Sequence, residues 1–139
     1  MRSAAFQPAA PETGFGYIEA GAPVGIGFRV ARFVEKPSRD RAAEYLAAGN
    51  FTWNSGMFCF SAGAMLEALR TNDPVLLETV DATLAATDFA RQPPVLAADS
   101  FRQVPDISID YAVMERLTSG QAGLPASAVI PLTAGWSDV

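Results

Sequence analysis

The sequence predicts an α/β domain built on a mixed or mostly parallel sheet, and three observations predict it. Short apolar runs rich in Phe, Val and Ile alternate along the chain with longer segments of helical period. The longer segments carry polar caps at their starts, and one of them has a glycine at its stop. At 139 residues with 50% hydrophobic content, the chain has the apolar side chains for a core of its own, as one domain or part of one.

Taken in order, residues 16–18 and 28–34 read as strands, the first flanked by glycines and the second ending at Lys36-Pro37. Ser38 caps a helix over about residues 39–48, with Ala42, Ala43, Tyr45, Leu46 and Ala47 on its apolar side and Gly49 stopping it. A buried strand follows near residues 57–60. Ser61 then starts a helix through Met65, Leu66 and Leu69, and Asp73-Pro74 opens another carrying Val75, Leu76, Val80 and Leu84. Gln92-Pro93-Pro94 is a loop. A short strand over 95–98, a helix over 109–117 and a final strand over 128–132 repeat the alternation. No repeat or low-complexity tract interrupts it. The first strand has no βα unit before it, and the chain stops soon after Gly135. A sheet lacking one side would expose unpaired backbone groups, so the sequence reads as a portion of a larger enzyme.

Composition excludes several classes of function. A net charge of -5 argues against a nucleic-acid partner, which would need a basic face to displace counterions. No apolar run reaches the roughly 18 residues of a membrane span, and Gln7-Pro8 breaks the opening segment before a secretory core forms, so a cytoplasmic protein without a membrane partner is expected. Cys59 is the single cysteine, which rules out a disulfide framework; within Met57-Phe58-Cys59-Phe60 it is expected to be buried. There is no histidine. An imidazole base, nucleophile partner or metal ligand is therefore absent from this chain, and chemistry falls to carboxylates, arginine, one lysine or a bound metal.

That lysine is Lys36, among ten basic residues of which the others are arginine. A compact ammonium on a flexible stem suits a mobile phosphate, whereas arginine offers a rigid fork. Four segments combine residue types unusual for packing alone. Glu12-Thr13-Gly14-Phe15-Gly16-Tyr17 sets two glycines around an aromatic, which fits either a close backbone approach to a ligand or a tight turn with a core ring. Glu35-Lys36-Pro37 offers an acceptor and a cation side by side, or a strand-end charge pair. Trp53-Asn54-Ser55-Gly56-Met57-Phe58 places Asn54 and Ser55 where they can bond ligand hydroxyls or cap a turn. Trp136-Ser137-Asp138 ends a strand with a carboxylate suited to a hard cation such as Mg²⁺, or with an exposed turn aspartate.

In this order the segments resemble the bacterial mannose-1-phosphate guanylyltransferases, within the sugar nucleotidyltransferases. The resemblance rests on Pro11-Glu12-Thr13-Gly14-Phe15-Gly16-Tyr17-Ile18-Glu19, Phe33-Val34-Glu35-Lys36-Pro37, Gly49-Asn50 with Trp53-Asn54-Ser55-Gly56-Met57-Phe58, Ser108-Ile109-Asp110-Tyr111-Ala112-Val113-Met114-Glu115, and Gly135-Trp136-Ser137-Asp138-Val139. It extends from about Pro8 to the last residue. It implies a Rossmann-like nucleotidyltransferase domain, a mixed sheet flanked by helices, of which residues 1–139 are the sugar-phosphate-binding part. It further implies the substrates mannose 1-phosphate and GTP, the cofactor Mg²⁺, the products GDP-mannose and pyrophosphate, and a role in polysaccharide biosynthesis. It leaves room for a homo-oligomer of the full-length enzyme.

By the same resemblance Lys36 holds the sugar phosphate, Glu35 and Asn54 bond mannose hydroxyls, Gly16 contributes backbone, Ser55 and Asp110 join the same pocket, and Asp138 is the metal ligand. Lys36 and Asp138 are then the catalytic pair. Where relatives commonly carry tyrosine this chain has Phe15, which keeps the ring and loses the hydroxyl. Family members open with a glycine-rich loop that grips the triphosphate, and nothing in residues 1–15 matches it, so the nucleotide-binding half is absent and the isolated chain is expected to be inactive. Two alternatives stand beside this reading: a non-catalytic sugar-phosphate-binding fragment, and a nucleotidyltransferase for another sugar 1-phosphate.

Overall fold

A computed structural model describes residues 1–117 and 127–134. Five strands form one sheet: β1 (Arg2–Phe6), β2 (Tyr17–Val24), β3 (Gly27–Val34), β4 (Phe51–Cys59) and β5 (Ala128–Leu132). Their order is β1-β4-β2-β3-β5, and β5 returns to β1 to close the sheet. The exposed edge expected from the sequence is therefore not found among the described strands. The sheet is mixed, as expected, but mostly antiparallel: only β1 and β5 run parallel.

The β2–β3 pair is antiparallel because its connection is short. Val24 pairs with Gly27, leaving a two-residue turn in which Gly25 supplies the left-handed backbone at φ 57°. Beyond Glu19 the β4-facing edge of β2 has no partner among the described strands, and there Pro23 costs no ladder bond. At the other end of the sheet Gly27 passes so close to β5 that a Cβ would strike the Val129 carbonyl oxygen.

The pleat sends alternate residues to two apolar layers. Ile18 and Phe33, opposite each other, join Ala5 and Val129 beneath α2 (Ala62–Asn72), the π-helical turn Asp110–Met114 and α5 (Glu115–Leu117), which contribute Ala68, Ala112, Val113, Met114 and Leu117. Tyr17, Phe51 and Trp53 face the other way and meet Ala42 and Tyr45 of α1 (Arg39–Ala48), with Tyr45 stacked on Phe51 at 4.1 Å. Tyr17 and Ile18 are both fully buried, so the start of β2 is covered on both faces.

The helix signals hold. Ser38 Oγ accepts from the Arg41 amide and Gly49 adopts φ 73° after α1. Ser61 caps α2 in the same way, and Asp73 with Pro74 opens α3 (Pro74–Ala86). The helix expected over 109–117 is present, with Asp110–Met114 as a π-helical turn within it. Three expectations fail. Residues 95–98 form no strand; instead α4 spans Ala98–Phe101. The buried strand expected near 57–60 is the end of the longer β4, whose buried residues are Phe51, Thr52 and Trp53. Cys59 is exposed, because it lies at the end of β4 where the run Met57 to Phe60 alternates about Phe58, and only Phe58 packs against the core.

Gly27→Ala should test the closure of β3 on β5. Its added methyl has only backbone to displace, so a loss of about 1–3 kcal/mol is expected, read as a lowered urea midpoint at unchanged slope.

Candidate functional site

The site follows from strand register. Tyr17 of β2 stands opposite Val34 of β3 and also opposite Trp53 of β4. The neighbouring residues in the antiparallel sense, Gly16, Glu35 and Asn54, therefore lie in one row across three strands. The Asn54 amide donates to the Gly16 carbonyl at 2.7 Å. A Cβ on Gly16 would lie 2.6 Å from Glu35 Oε2 and 3.3 Å from Asn54 Cβ. The absence of a side chain at Gly16 leaves room for a close approach, and the group approached is the Glu35 carboxylate.

Asn54 lies inside β4, where the sequence suggested a strand end. Between the pairs Ser3–Phe58 and Ala5–Asn54 the ladder shifts, so Ser55, Gly56 and Met57 bulge opposite Ala4. Each polar group of the string serves that bulge. Asn54 Oδ1 accepts from the Gly56 amide at 3.1 Å, and Gly56 takes φ 71°. Ser55 Oγ donates to the Ala4 carbonyl at 2.7 Å and accepts from the Met57 amide at 3.2 Å. The Ser55 hydroxyl is thereby engaged in shaping the strand. With its oxygen spent on the turn, Asn54 turns its NH₂ toward Asp110 Oδ1, 3.1 Å away.

Asp110 arrives because Ala112, Val113 and Met114 are buried on the sheet face that carries Ile18 and Phe33. The same element brings Glu115, whose Oε1 accepts the Glu35 backbone amide at 2.8 Å. Burial first, then the Asp110 charge, with Glu115 adding to it, holds the Glu35 carboxyl above its ordinary 4.5 despite the pull of Lys36. Burial likewise raises the Asp110 carboxyl above 3.8, against its own backbone hydrogen bond, Asn54 and Lys36. Glu35 Oε2 is buried and has no hydrogen-bond partner among the described residues.

Lys36 is the cation of this acidic group. Its Nζ lies 3.8 Å from Glu35 Oε1, with the lysine side chain 58% exposed and the glutamate 9%. Lys36 also has φ 45°, alone among the described non-glycine residues in the left-handed region, at a cost of about 1–2 kcal/mol. Across the row, Phe15 packs edge-on to Trp53 at 5.1 Å, so the ring does its packing without the hydroxyl.

Five expected site residues thus come together: Gly16, Glu35, Lys36, Asn54 and Asp110. Ser55 is adjacent but turned to the backbone. Asp138 lies outside the described residues, as does the rest of Trp136-Ser137-Asp138. Among the described residues no group of three or more Asp, Glu or Cys is arranged to hold a metal ion. Sequence reasoning missed the structural use of Glu115, although its string was noted; a hydrogen bond spanning 80 residues leaves no local signal.

A closed mixed sheet with flanking helices thus gathers one cation and several hydrogen-bonding groups at one end. The chain belongs to the nucleotidyl transferase family, whose model matches residues 2–139. It is 44% identical to mannose-1-phosphate guanylyltransferase of Escherichia coli over 95% of its own length and 27% of that protein's. It is 44% identical to the alginate biosynthesis protein AlgA of Pseudomonas syringae over 93% of the chain and 26% of AlgA. The chain therefore spans about a quarter of these relatives. Among solved structures, it matches mannose-6-phosphate isomerase from Helicobacter pylori with a TM-score of 0.80 and 33% identity, over 99% of this chain and 51% of that one. It matches mannose-1-phosphate geranyltransferase from Thermus thermophilus with a TM-score of 0.73 and 32% identity, over 94% of this chain and 34% of that one. No helix among the described residues is long and apolar enough to cross a membrane.

The raised carboxyls predict the sign of a pH effect. Protons are held more tightly in the folded state, so the stability they contribute is full below the ordinary values of 4.5 and 3.8 and is lost as pH rises through the raised ones. The double variant Glu35→Gln with Asp110→Asn should lack this component. Wild-type Tm should fall relative to the variant as pH rises above the ordinary carboxyl range of 3.8 to 4.5, read in thermal melts.

Proposed function

We propose that this chain is the sugar-phosphate-binding part of a nucleotidyltransferase domain that forms GDP-mannose and pyrophosphate from GTP and mannose 1-phosphate. The observation that carries the reading is the row Gly16, Glu35 and Asn54, with Asp110 below it and the single lysine beside it. A sugar phosphate asks for these two kinds of group together. Its hydroxyls donate to carboxylates such as Asp110 and Glu35 and accept from the Asn54 NH₂. Its phosphate needs a cation, and Lys36 beside Glu35 supplies one. The guanylyltransferase relatives support mannose as the sugar and, together with AlgA, a role in polysaccharide biosynthesis. An isomerase reading is less well supported, since the whole chain matches a transferase family. The reading places the enzyme in the cytoplasm with its nucleoside triphosphate.

In the reaction, a phosphate oxygen of the sugar 1-phosphate attacks the α-phosphorus of GTP in line. One P–O bond forms and the bond to the β-phosphate breaks, releasing pyrophosphate. The nucleophile is already ionised at neutral pH because the second phosphate pKa is about 6, so no base is needed and the lack of histidine is no obstacle. What remains is to position two polyanions and offset their repulsion, worth on the order of 4 kcal/mol per unit charge pair at about 4 Å in an effective dielectric near 20. Lys36 acts on that repulsion from the sugar-phosphate side. Asp138 supplies the oxygen donor that Mg²⁺ prefers, and a magnesium ion held there with phosphate oxygens and water would neutralise charge further.

Two expectations test the reading. The 139-residue chain alone should release no pyrophosphate above background from GTP and mannose 1-phosphate, since no glycine-rich triphosphate loop occurs in residues 1–15. In calorimetric titrations the same chain should bind mannose 1-phosphate, and Lys36→Ala should weaken that binding roughly ten- to a hundredfold, the worth of one charge-assisted bond to an anion. Lys36→Arg should recover little, because a planar fork does not occupy the place of a point charge. Equal affinity of wild type and Lys36→Ala would remove Lys36 from the role.

A further inference from the structure

We infer that Glu115 is the positioning residue of this site, fixing the end of β3 so that Lys36 is held in its left-handed conformation facing the ligand. The β2–β3 ladder ends at the pair Tyr17–Val34. Glu35, the next residue, gives its backbone N–H to Glu115 Oε1 at 2.8 Å rather than to another strand. Lys36 then turns at φ 45° and Pro37, which is buried, fixes the exit. A bulky residue in the left-handed region persists only where its surroundings over-determine it. Here the turn is held on one side by the Glu115 carboxylate and on the other by the proline ring. What this point needs is a side-chain oxygen that can accept the Glu35 amide, and Glu115 provides it although Glu35 and Asp110 are close enough to feel its charge. Glu115 itself is anchored, as the residue after the buried run Ala112, Val113 and Met114.

The inference extends the sugar-phosphate reading and rests on it for the ligand, but its first test does not. In backbone NMR of the 139-residue chain, Glu115→Ala should accelerate amide exchange at Glu35 and move the Lys36 three-bond HN–Hα coupling and chemical shifts toward extended values. Glu115→Gln, which keeps an oxygen acceptor, should retain the wild-type pattern. An unchanged Glu35 amide and Lys36 conformation in Glu115→Ala would overturn the proposal whatever the chain binds. The second test is a double-mutant cycle on mannose 1-phosphate affinity. Glu115→Ala should weaken binding about five- to a hundredfold, the effect of one lost buried acceptor, and should add almost nothing in a Lys36→Ala background. Glu115→Gln should bind within about threefold of wild type. Additive losses would show that Glu115 acts independently of Lys36 and would overturn the proposal. Failure of the wild-type chain to bind the sugar phosphate at all would instead overturn the proposed function, leaving the NMR comparison to decide the role of Glu115.

Discussion

Because β2 pairs with β3 on one edge and β4 on the other, with Tyr17 opposite both Val34 and Trp53, the residues next to these three must stand together. No separate loop design is needed to bring Gly16, Glu35 and Asn54 into one row. The register is secured by burial on both faces: Tyr17 and Trp53 pack toward α1, and Ile18 and Phe33 pack toward the π-helical turn. A slip of one residue on β2 would send Tyr17 and Ile18 to each other's layers, so the core enforces the row. The same layer that holds Ile18 draws in Ala112 and Val113 and with them Asp110 and Glu115. The site is thus a by-product of how the core must pack.

The electrostatics follow from that packing. Glu35, Asp110 and Glu115 lie close enough for charge to be felt among them, Lys36 offsets the first two, and those two are pushed toward the protonated form by burial. Left alone, such a group would favour dispersal. Each carboxylate instead has a fixed neighbour: Glu115 the Glu35 amide, Asp110 the Asn54 NH₂, and Glu35 the Lys36 ammonium. The loosest of these is the Glu35–Lys36 pair, at 3.8 Å with the lysine well exposed, and it is the one that reorganises at least cost.

Much of this was legible in the sequence wherever the deciding signal was local. Ser38, Gly49, Ser61, Asp73 and Pro74 placed the helices because each satisfies or relieves backbone groups within a few residues. Composition and residue type pointed to Lys36 and Asn54, and the family resemblance gave them roles and added Asp110. What escaped notice depends on distant partners. Arg2–Phe6 has only two small residues, Ser3 and Ala5, facing inward ahead of Phe6, and it becomes a strand because β4 and β5 flank it. The far half of β2 carries Gly21 and Pro23 and reads as a breaker until its hairpin with β3 is formed. The β4 bulge hid in Asn54-Ser55-Gly56, a string that reads equally as a turn.

Gly16 and Lys36 show where sequence economy and site geometry meet. At one position, which has no side chain, a carboxylate oxygen comes into the space a Cβ would take. The other keeps a long side chain at a backbone angle that favours glycine, so something other than conformational preference must retain lysine there. A glycine at that position would remove the strain and the charge together, and an arginine would retain the strain while replacing the point charge with a fork. An ammonium at a strained turn, backed by a buried carboxylate, is the arrangement expected when the requirement is a positive charge at one fixed place. The strain is the cost of that placement, and it is met by the packing of β2, β3 and the segment that carries Glu115.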